Sequence, residues 1–244
     1  MRWRWCADGE AVARTAAELV ASHVRGRPRS VLGLHTGSSA IPMYDHLGRL
    51  VAEGRVSFRD AVAFSLDEFV GLGPSDPSSF GAFMRERFER RVDARPENVR
   101  VPAGDRADLE AECARYEAAI ASAGGWDLAV LGLGGNGHVA FNEPGSARDS
   151  RTRVVALSAR TRAANANRFP AGRAVPERAI TVGMGTILAA RSVILVIMGA
   201  GKQAAVAALL GGVADEQVPA TLLCDHPDSK GVARFAVGTP GVPG

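Results

Sequence analysis

The stretch that decides the fold is Trp126-Asp-Leu-Ala-Val-Leu-Gly-Leu-Gly-Gly-Asn-Gly-His-Val-Ala-Phe-Asn-Glu-Pro-Gly145. Residues 127–133 form a short, largely apolar run, which is typical of a strand buried on both faces of a parallel sheet. The run ends abruptly in glycines, so the strand delivers a loop to its carboxyl end. Ligands bind at that edge in open α/β sheets. Because the loop carries Asn136, His138 and Glu143, we predict a functional site here.

The same glycines also match a dinucleotide-binding pattern. Gly132, Gly134 and Gly137 have the spacing G-x-G-x-x-G. That fingerprint opens a helix and is followed by an acidic residue about 20 positions further on. Here the chain runs into Glu-Pro-Gly at 143–145, and the later region reads Val-Ala-Leu-Ser. We therefore do not expect a dinucleotide site.

Composition bounds the class of protein. The chain has 244 residues, of which 46% are hydrophobic and 23% charged, with a net charge of +3. This is enough to bury the core of one large α/β domain, and no composition shift marks a linker. We expect a single domain over residues 1–244. Basic residues are spread through the predicted helices, and those at 85–91 alternate with glutamates, which argues against nucleic-acid binding.

Cysteine usage and hydropathy indicate a cytoplasmic protein. Cys6, Cys113 and Cys224 form an odd set without a C-x-x-C pair. This argues against a disulfide framework and against a structural zinc site. The N-terminus lacks an apolar signal-peptide core, and no apolar run approaches the length of about 18 residues that suggests a membrane span. We expect no metal site and no membrane contact.

A second candidate site follows the strand predicted over 30–34. The loop His35-Thr-Gly-Ser-Ser39 precedes a helix predicted over 40–51. Hydroxyls and a glycine at a helix N-terminus can bind an anion, because backbone N–H groups and the helix dipole point at it. The loop also fits an ordinary capped turn, in which Ser38 or Ser39 satisfies free N–H groups of the helix. The residue types alone leave both interpretations open.

Two adjacent carboxylates follow the strand predicted over 60–66. Asp67 and Glu68 follow it directly. Carboxylates at the carboxyl end of a strand are well placed for acid–base chemistry. They could equally cap the next helix or face water.

A lysine lies in the loop that follows the strand predicted over 192–198. Lys202 closes a glycine loop before a helix predicted over 203–210. The loop is too short for a Walker motif. A lysine here can bind a phosphate as a point charge, or it can face solvent. The solvent interpretation fits poorly with the helix dipole, which disfavours a cation at a helix N-terminus.

The remaining elements complete an α/β pattern. Helices are predicted over 11–24, 79–92, 109–123, 159–169 and 219–225, and strands over 98–101, 151–157 and 232–237, with 151–157 at the margin of the sheet. The alternation predicts a mostly parallel sheet of Rossmann-like topology with helices on both faces.

Five segments, in order, resemble the glucosamine-6-phosphate deaminase family, also called glucosamine-6-phosphate isomerases. They are Thr-Gly-Ser-Ser at 36–39, Asp-Glu-Phe-Val-Gly-Leu at 67–72, Gly-Asn-Gly-His-Val-Ala-Phe-Asn-Glu-Pro-Gly at 135–145, Ala-Asn-Ala-Asn-Arg-Phe at 164–169 and Thr-Val-Gly-Met-Gly-Thr at 181–186. The likeness spans the chain from about Val31 to about Asp228. Two tyrosines of the family pattern appear here as Phe69 and Phe80, which removes two hydroxyls but keeps the rings.

The resemblance implies an enzyme that converts glucosamine 6-phosphate into fructose 6-phosphate and ammonia without a metal or organic cofactor. Asp67 would move a proton on the sugar carbon, and His138 would open the ring. Glu143 would orient and polarise His138. Asn136 stands where some family members have Asp, and an amide can fix the orientation of the ring without adding charge.

The resemblance also implies a phosphate site and a substrate site. Their residues are Thr36, Gly37, Ser38, Ser39, Glu68, Gly135, Gly137, Arg168 and Lys202. The segment around Arg168 has one residue more than the family pattern, and one residue turns a helix by about 100°. Arg162 is therefore the alternative. The expected partner is a small sugar phosphate, and a homo-oligomer stays open.

Three other functions stay open beside this one. A galactosamine-6-phosphate deaminase would use the same machinery on the C4 epimer. A 6-phosphogluconolactonase has the same fold, although we would expect different loop sequences. A non-catalytic sugar-phosphate-binding effector domain of a regulator also has a related fold, but it should carry a helix-turn-helix extension.

Overall fold

The computed structural model describes residues 1–234, and within that range seven strands form one sheet that is parallel throughout. All strands, in chain order, are β1 (Arg2–Cys6), β2 (Val31–Leu34), β3 (Val62–Ser65), β4 (Asp67–Phe69), β5 (Val99–Arg100), β6 (Leu128–Gly132), β7 (Arg153–Ala156), β8 (Arg178–Thr181), β9 (Val193–Ile197) and β10 (Ser229–Arg234). The order across the main sheet is β1-β10-β9-β6-β2-β3-β5. The predicted strands at 30–34, 127–133 and 192–198 are thus confirmed at its centre.

Helices cover both faces of this sheet. They are α1 (Gly9–Gly26), α2 (Ile41–Ala52), α3 (Phe80–Met84), α4 (Leu109–Ser122), α5 (Ala159–Asn165), α6 (Met184–Leu188) and α7 (Gln203–Gly211). The apolar sides of α1 and α2 share one core with alternate strand residues. Those of α4, α6 and α7 share the core on the opposite face. The predicted α/β fold with helices on both faces is confirmed.

A second, three-stranded sheet joins β4, β8 and β7 in antiparallel pairs. The prediction that residues 151–157 lie at the margin of the main sheet is therefore wrong. The β7 residues are only partly buried, and antiparallel sheets accept a solvated face where central parallel strands do not. Only Leu66 separates β3 from β4. Asp67 and Glu68 are the first two residues of β4 and therefore lie on a strand.

Several element bounds differ from the predictions. The N-terminal edge strand β1 was not predicted, because its alternating Arg and Trp residues leave it half exposed. The helix predicted over 79–92 is α-helical only through Met84 and continues as a π turn, Arg85–Glu89. The helix predicted over 159–169 ends at Asn165 in a 3₁₀ turn, Ala166–Arg168. The last strand starts earlier than predicted, at Ser229, and its predicted end at 235–237 lies outside the described residues.

The segment predicted as a helix over 219–225 is a 3₁₀ helix, Pro219–Asp225. Two further 3₁₀ turns are Ser38–Ala40 and Pro96–Asn98. None of the helices in residues 1–234 combines the length and the apolar character needed to cross a membrane.

Candidate active site

A cleft of about 130 Å³ opens at the carboxyl edge of β2 and β6. The loop after β2 contributes Thr36 and Ser39 to its lining, and β4 contributes Asp67. The loop after β6 contributes Gly134 and His138. Parallel strands end at the same edge of a sheet. The loops after β2 and β6 therefore meet there, and Asp67 on β4 lies beside them.

Asp67 is the buried carboxylate of this cleft. Its side chain is 5% exposed, and Thr36 Oγ1 donates a hydrogen bond of 3.0 Å to Oδ1. Burial raises the pKa of Asp67 to about 7, although the Thr36 hydroxyl and the charge of Arg168 oppose the rise. A carboxylate with a pKa near neutral is a stronger base than an ordinary aspartate and still ionises at physiological pH.

This environment predicts the acid limb of the pH profile. If Asp67 must be ionised, kcat/KM should fall as the pH drops below about 7. The Thr36 hydroxyl stabilises the ionised form, so Thr36→Val should raise the pKa and move the limb to higher pH. Thr36→Ser keeps a hydroxyl and should leave the limb near its original position. A limb that does not move in Thr36→Val would remove Asp67 from this assignment.

His138 belongs to a chain of hydrogen bonds that ends on a carboxylate. Asn136 Nδ2 donates to Glu143 Oε2 over 2.7 Å, and His138 Nδ1 lies 2.6 Å from Asn136 Oδ1. A carboxylate only accepts, so it fixes the amide with its oxygen toward the ring. His138 then donates from Nδ1, and in the neutral ring the lone pair is on Nε2. Glu143 therefore acts on His138 through Asn136 and not by direct contact.

Further groups act on the pKa of His138 and hold the carboxylate of Glu143. Burial lowers the pKa of His138, the carboxylate of Glu143 opposes this, and the cations of Lys202 and Arg160 add to it. The hydroxyl of Thr161 donates to Glu143 Oε1 and holds its second oxygen. The ring is thus fixed in orientation and favoured in its neutral form.

The amide between ring and carboxylate can be tested by Asn136→Asp. The new carboxylate would lie against Nδ1 and should raise the pKa of His138 by about one unit, which moves the limb of the kcat/KM profile that reports this group upward. It would also face Glu143, and like charges at that distance oppose joint ionisation. The double variant Asn136→Asp/Glu143→Gln avoids this conflict and should show the larger shift. An unmoved profile in both would mean that His138 does not titrate in the measured step.

Glycines leave room for the ring of His138 and for the loop that carries it. A Cβ on Gly134 would lie 2.3 Å from Cε1 and Nδ1 of His138. Gly137 has φ +85°, which favours glycine, and a Cβ there would lie 2.4 Å from Val218. A Cβ on Gly135 would lie 3.1 Å from Arg160 and from the carbonyl of Gly201. Gly135 and Gly137 thus shape the loop around His138.

Glu68 does not share the position of Asp67. Its carboxylate accepts from three backbone N–H groups, those of Phe69, Phe80 and Gly81, at 2.8–3.0 Å. Burial raises its pKa to about 7, and the three donors oppose the rise. Of the alternatives for this pair, the structure assigns helix capping to Glu68, at the start of α3, and places Asp67 in the cleft. Glu68 is not among the residues that line the cleft, and its predicted contact with the substrate stays a prediction.

The two candidate arginines for the phosphate site, Arg168 and Arg162, have different partners. The Cζ atom of Arg168 lies 4.5 Å from the ring centroid of Phe80, and the charge of Arg168 acts on Asp67. Arg162 instead pairs with Glu177 at 3.6 Å, and the side chain of Glu177 is 84% exposed. A 3₁₀ turn, Ala166–Arg168, follows α5, so Arg168 does not continue the α-helical register of that helix.

Lys202 lies behind the loop that follows β6. Its Nζ donates to the carbonyl of Leu133, which lines the cleft. Burial lowers the pKa of Lys202. The ammonium also lowers the pKa values of His35 and His138, so its positive charge reaches the cleft. Gly37 and Ser38, the other predicted anion-loop residues, form the turn that leads into α2.

Three polar residues at or beside the cleft were not predicted from the sequence. Thr161 supports Glu143, Asn165 lines the cleft, and Arg160 lies over the glycine loop. All three lie in or beside α5, which was predicted only as an arginine-rich helix. The pair Ala164-Asn165 was used to align Arg168, and it could have drawn attention to Asn165 itself.

Comparison with known proteins identifies the family. Residues 7–232 match the family described as glucosamine-6-phosphate isomerases/6-phosphogluconolactonase. The chain belongs to this family. The predicted resemblance is therefore confirmed over nearly the whole described chain.

Relatives within the family share most of their length with this chain. A glucosamine-6-phosphate deaminase of Thermoanaerobacter pseudethanolicus is 41% identical over 90% of this chain and 87% of its own. One of Cutibacterium acnes is 44% identical over 91% of this chain and 85% of its own. A solved structure described as a monomeric glucosamine-6-phosphate deaminase is 40% identical, with a TM-score of 0.93 over 96% of this chain and 97% of that one.

The two phenylalanines at the positions where the resemblance gives tyrosines belong to a packed cluster of rings. Phe69 and Phe80 stack with centroids 4.8 Å apart, and Phe141 and Phe169 pack around Phe69. Phe69 is completely buried. The rings therefore keep an apolar wall without the two hydroxyls of the family pattern, and Phe80 and Phe141 line the cleft.

Proposed function

We propose that this protein is a glucosamine-6-phosphate deaminase, which converts glucosamine 6-phosphate and water into fructose 6-phosphate and ammonia. The observation that carries the proposal is the meeting of Asp67 and His138 in one cleft beside the Thr36–Ser39 loop. This places a base, a second proton-transfer group and an anion loop together. Aldose–ketose isomerisation of a phosphorylated sugar needs these three functions.

In the proposed mechanism, His138 first opens the sugar ring. Its Nε2 removes the proton from the C1 hydroxyl and returns it to the ring oxygen as the C1–O5 bond breaks. Asp67 then removes the proton from C2 and delivers a proton to C1, while the amino nitrogen loses a proton and O1 gains one, which converts the open-chain amino aldose into a ketose imine. Water adds to C2, ammonia leaves, and fructose 6-phosphate remains. Each step is a proton transfer or an addition, and acid–base groups of this kind typically contribute about 10²–10⁴-fold each.

The phosphoryl group lies, in this proposal, against the Thr36–Ser39 loop with Arg168 and Lys202 as cations. The loop precedes α2, so its backbone N–H groups and the helix dipole favour an anion. The guanidinium of Arg168 lies over the ring of Phe80, and this contact restrains the planar group in a position from which it can bind a phosphate. Binding energy from the phosphoryl group then orients the sugar carbon over Asp67.

The phosphate assignment predicts a binding defect in Lys202→Ala. Loss of the cation should raise KM for glucosamine 6-phosphate about tenfold or more, with a smaller effect on kcat, because the phosphoryl group does not change charge during the reaction. Lys230→Ala is the matched control, since Lys230 pairs with Asp228 in β10, away from the cleft. An unchanged KM in Lys202→Ala would leave Lys202 with only its bond to Leu133.

A substrate panel tests the proposed function. Glucosamine 6-phosphate, galactosamine 6-phosphate and 6-phosphogluconolactone are offered in turn, and ammonia, fructose 6-phosphate and 6-phosphogluconate are measured. We expect ammonia and fructose 6-phosphate in equal amounts from glucosamine 6-phosphate. Preference for the galactosamine epimer, or hydrolysis of the lactone alone, would support the corresponding rival. Binding without any turnover would support a non-catalytic effector domain.

Cellular location and assembly complete the proposal. We infer a cytoplasmic protein, since the proposed substrate is a phosphorylated sugar of intracellular metabolism. The solved relative at 40% identity is described as monomeric. This favours a monomer over the homo-oligomer that the sequence left open, and light scattering of the purified protein tests it.

A further inference from the structure

His35 is a buried histidine in the wall of the active cleft, and the proposed mechanism does not use it. Its side chain is 5% exposed and lines the cleft. Its backbone is tied on both sides, because its N–H donates to Val130 over 3.0 Å and its carbonyl accepts from the Tyr44 hydroxyl at 2.8 Å. The position of the ring is therefore set by the framework of the sheet.

Both ring nitrogens of His35 lack a hydrogen-bond partner among residues 1–234. A buried polar group without a partner is costly, and native structures contain few of them. His226 is a useful contrast, because its ring nitrogens meet the carbonyl of Ala190 and the N–H of Asp228. The ring of His226 is thus satisfied by the protein, whereas the ring of His35 is not.

The ring has been given room at the base of the cleft. A Cβ on Gly132 would lie 2.9 Å from Cδ2 and 3.5 Å from Nε2 of His35, and 3.5 Å from Ser39 Oγ. The Nε2 edge of the ring and the Ser39 hydroxyl therefore border the same small space. Gly132 serves His35 in the way that Gly134 serves His138.

The electrostatic setting favours a neutral donor at this place. Burial lowers the pKa of His35 to about 4, with the ammonium of Lys202 acting in the same direction and the backbone of Val130 opposing it. A neutral imidazole carries one N–H donor and one acceptor. It can donate to an anion while Lys202 supplies the positive charge. His35 thus borders the same space as Ser39 and is acted on by the charge of Lys202, two of the groups assigned to the phosphoryl site.

We propose that His35 binds substrate by donating its Nε2–H to an oxygen of the phosphoryl group, as an additional side-chain ligand alongside Ser39 and Lys202. The identity of the phosphorylated ligand rests on the proposed function, whereas the anion contact itself does not. The structural basis is the orphaned ring in the cleft wall, the space left by Gly132 and the neighbouring cation.

The test compares His35→Leu with His35→Gln. Leucine fills the space but has no N–H, whereas the glutamine amide can place a donor close to the position of Nε2. We measure KM and kcat for glucosamine 6-phosphate and, separately, the Kd of inorganic phosphate by calorimetry. His35→Leu should weaken both KM and the phosphate Kd about tenfold with little change in kcat, and His35→Gln should recover most of the loss.

The two readouts separate this proposal from the proposed function. A weakened phosphate Kd in His35→Leu supports the contact even if the wild type proves not to deaminate glucosamine 6-phosphate. An unchanged phosphate Kd overturns it, and so does a loss of kcat with an unchanged Kd, which would place His35 at the sugar carbons. If His35→Leu does not fold, the imidazole N–H of His35 in the wild type is followed by NMR during phosphate addition. A resonance that does not respond to phosphate would also overturn the proposal.

Discussion

Replacing Asp67 by Asn is expected to lower kcat for glucosamine 6-phosphate by at least about 10², with KM little changed. The amide keeps the shape of the side chain and can still accept the hydrogen bond from Thr36. It cannot take a proton from the sugar carbon at any accessible pH. The loss should therefore appear in the chemical step, in a steady-state assay of fructose 6-phosphate release.

Stability gives the control for this variant. The raised pKa of Asp67 means that the folded protein already accommodates an uncharged side chain at this position near pH 7. Asp67→Asn should therefore have a Tm close to that of the wild type. Asp67→Glu keeps a carboxylate but moves it, and should retain a fraction of the activity. Full turnover in Asp67→Asn would exclude Asp67 as the base.

Adding one methyl group at Gly134 is expected to lower kcat about 10²-fold, because a displacement of a catalytic group by about 1 Å can cost that much. The new Cβ would lie 2.3 Å from the His138 ring and would force it out of line with Asn136. Gly134 is not among the glycines with a positive φ, so its backbone does not require glycine for that reason. The effect should therefore fall on His138 more than on folding.

Gly26→Ala provides the matched control for the alanine at Gly134. A Cβ on Gly26, at the end of α1, would contact nothing within 4 Å. This variant should keep wild-type kcat, and both proteins are compared by Tm and by the chemical shifts of the histidine rings. Wild-type activity in Gly134→Ala would show that the position of His138 in the cleft is not critical.

The parts of this molecule that the sequence predicted share a simple physical basis. Strands buried on both faces read as apolar runs, so β2, β6 and β9 were visible without any structure. Their loops carry Thr36, His138 and Lys202, and parallel strands bring such loops to one edge. The meeting of these residues therefore follows from the strand pattern alone.

The parts that the sequence did not predict depend on tertiary partners. The strand β7 is placed by its pairing with β8, and nothing in its own residues distinguishes that sheet from the larger one. The roles of Asp67 and Glu68 diverge because adjacent strand residues point to opposite faces. Only the folded chain shows which of the two meets the free N–H groups of α3.

The local register around Arg168 and Asn136 was open for a similar reason. One additional residue before Arg168 could have directed it anywhere, and the change from α to 3₁₀ geometry resolves the direction. Asn136 was predicted to orient His138, but its simultaneous bond to Glu143 requires the folded loop. The sequence shows which polar side chains the loop carries, and only the folded loop shows which of them are joined by hydrogen bonds.

Turnover of glucosamine 6-phosphate in D₂O, followed by NMR, tests most directly the claim that a carboxylate moves a proton between sugar carbons. The proton that Asp67 removes from C2 can exchange with solvent deuterons while it is on the carboxyl group, before protonation at C1. We therefore expect ammonium and fructose 6-phosphate in equal amounts, with deuterium entering the product at C1. Release of ammonium together with glucose 6-phosphate, without isomerisation and without deuterium on carbon, would contradict it.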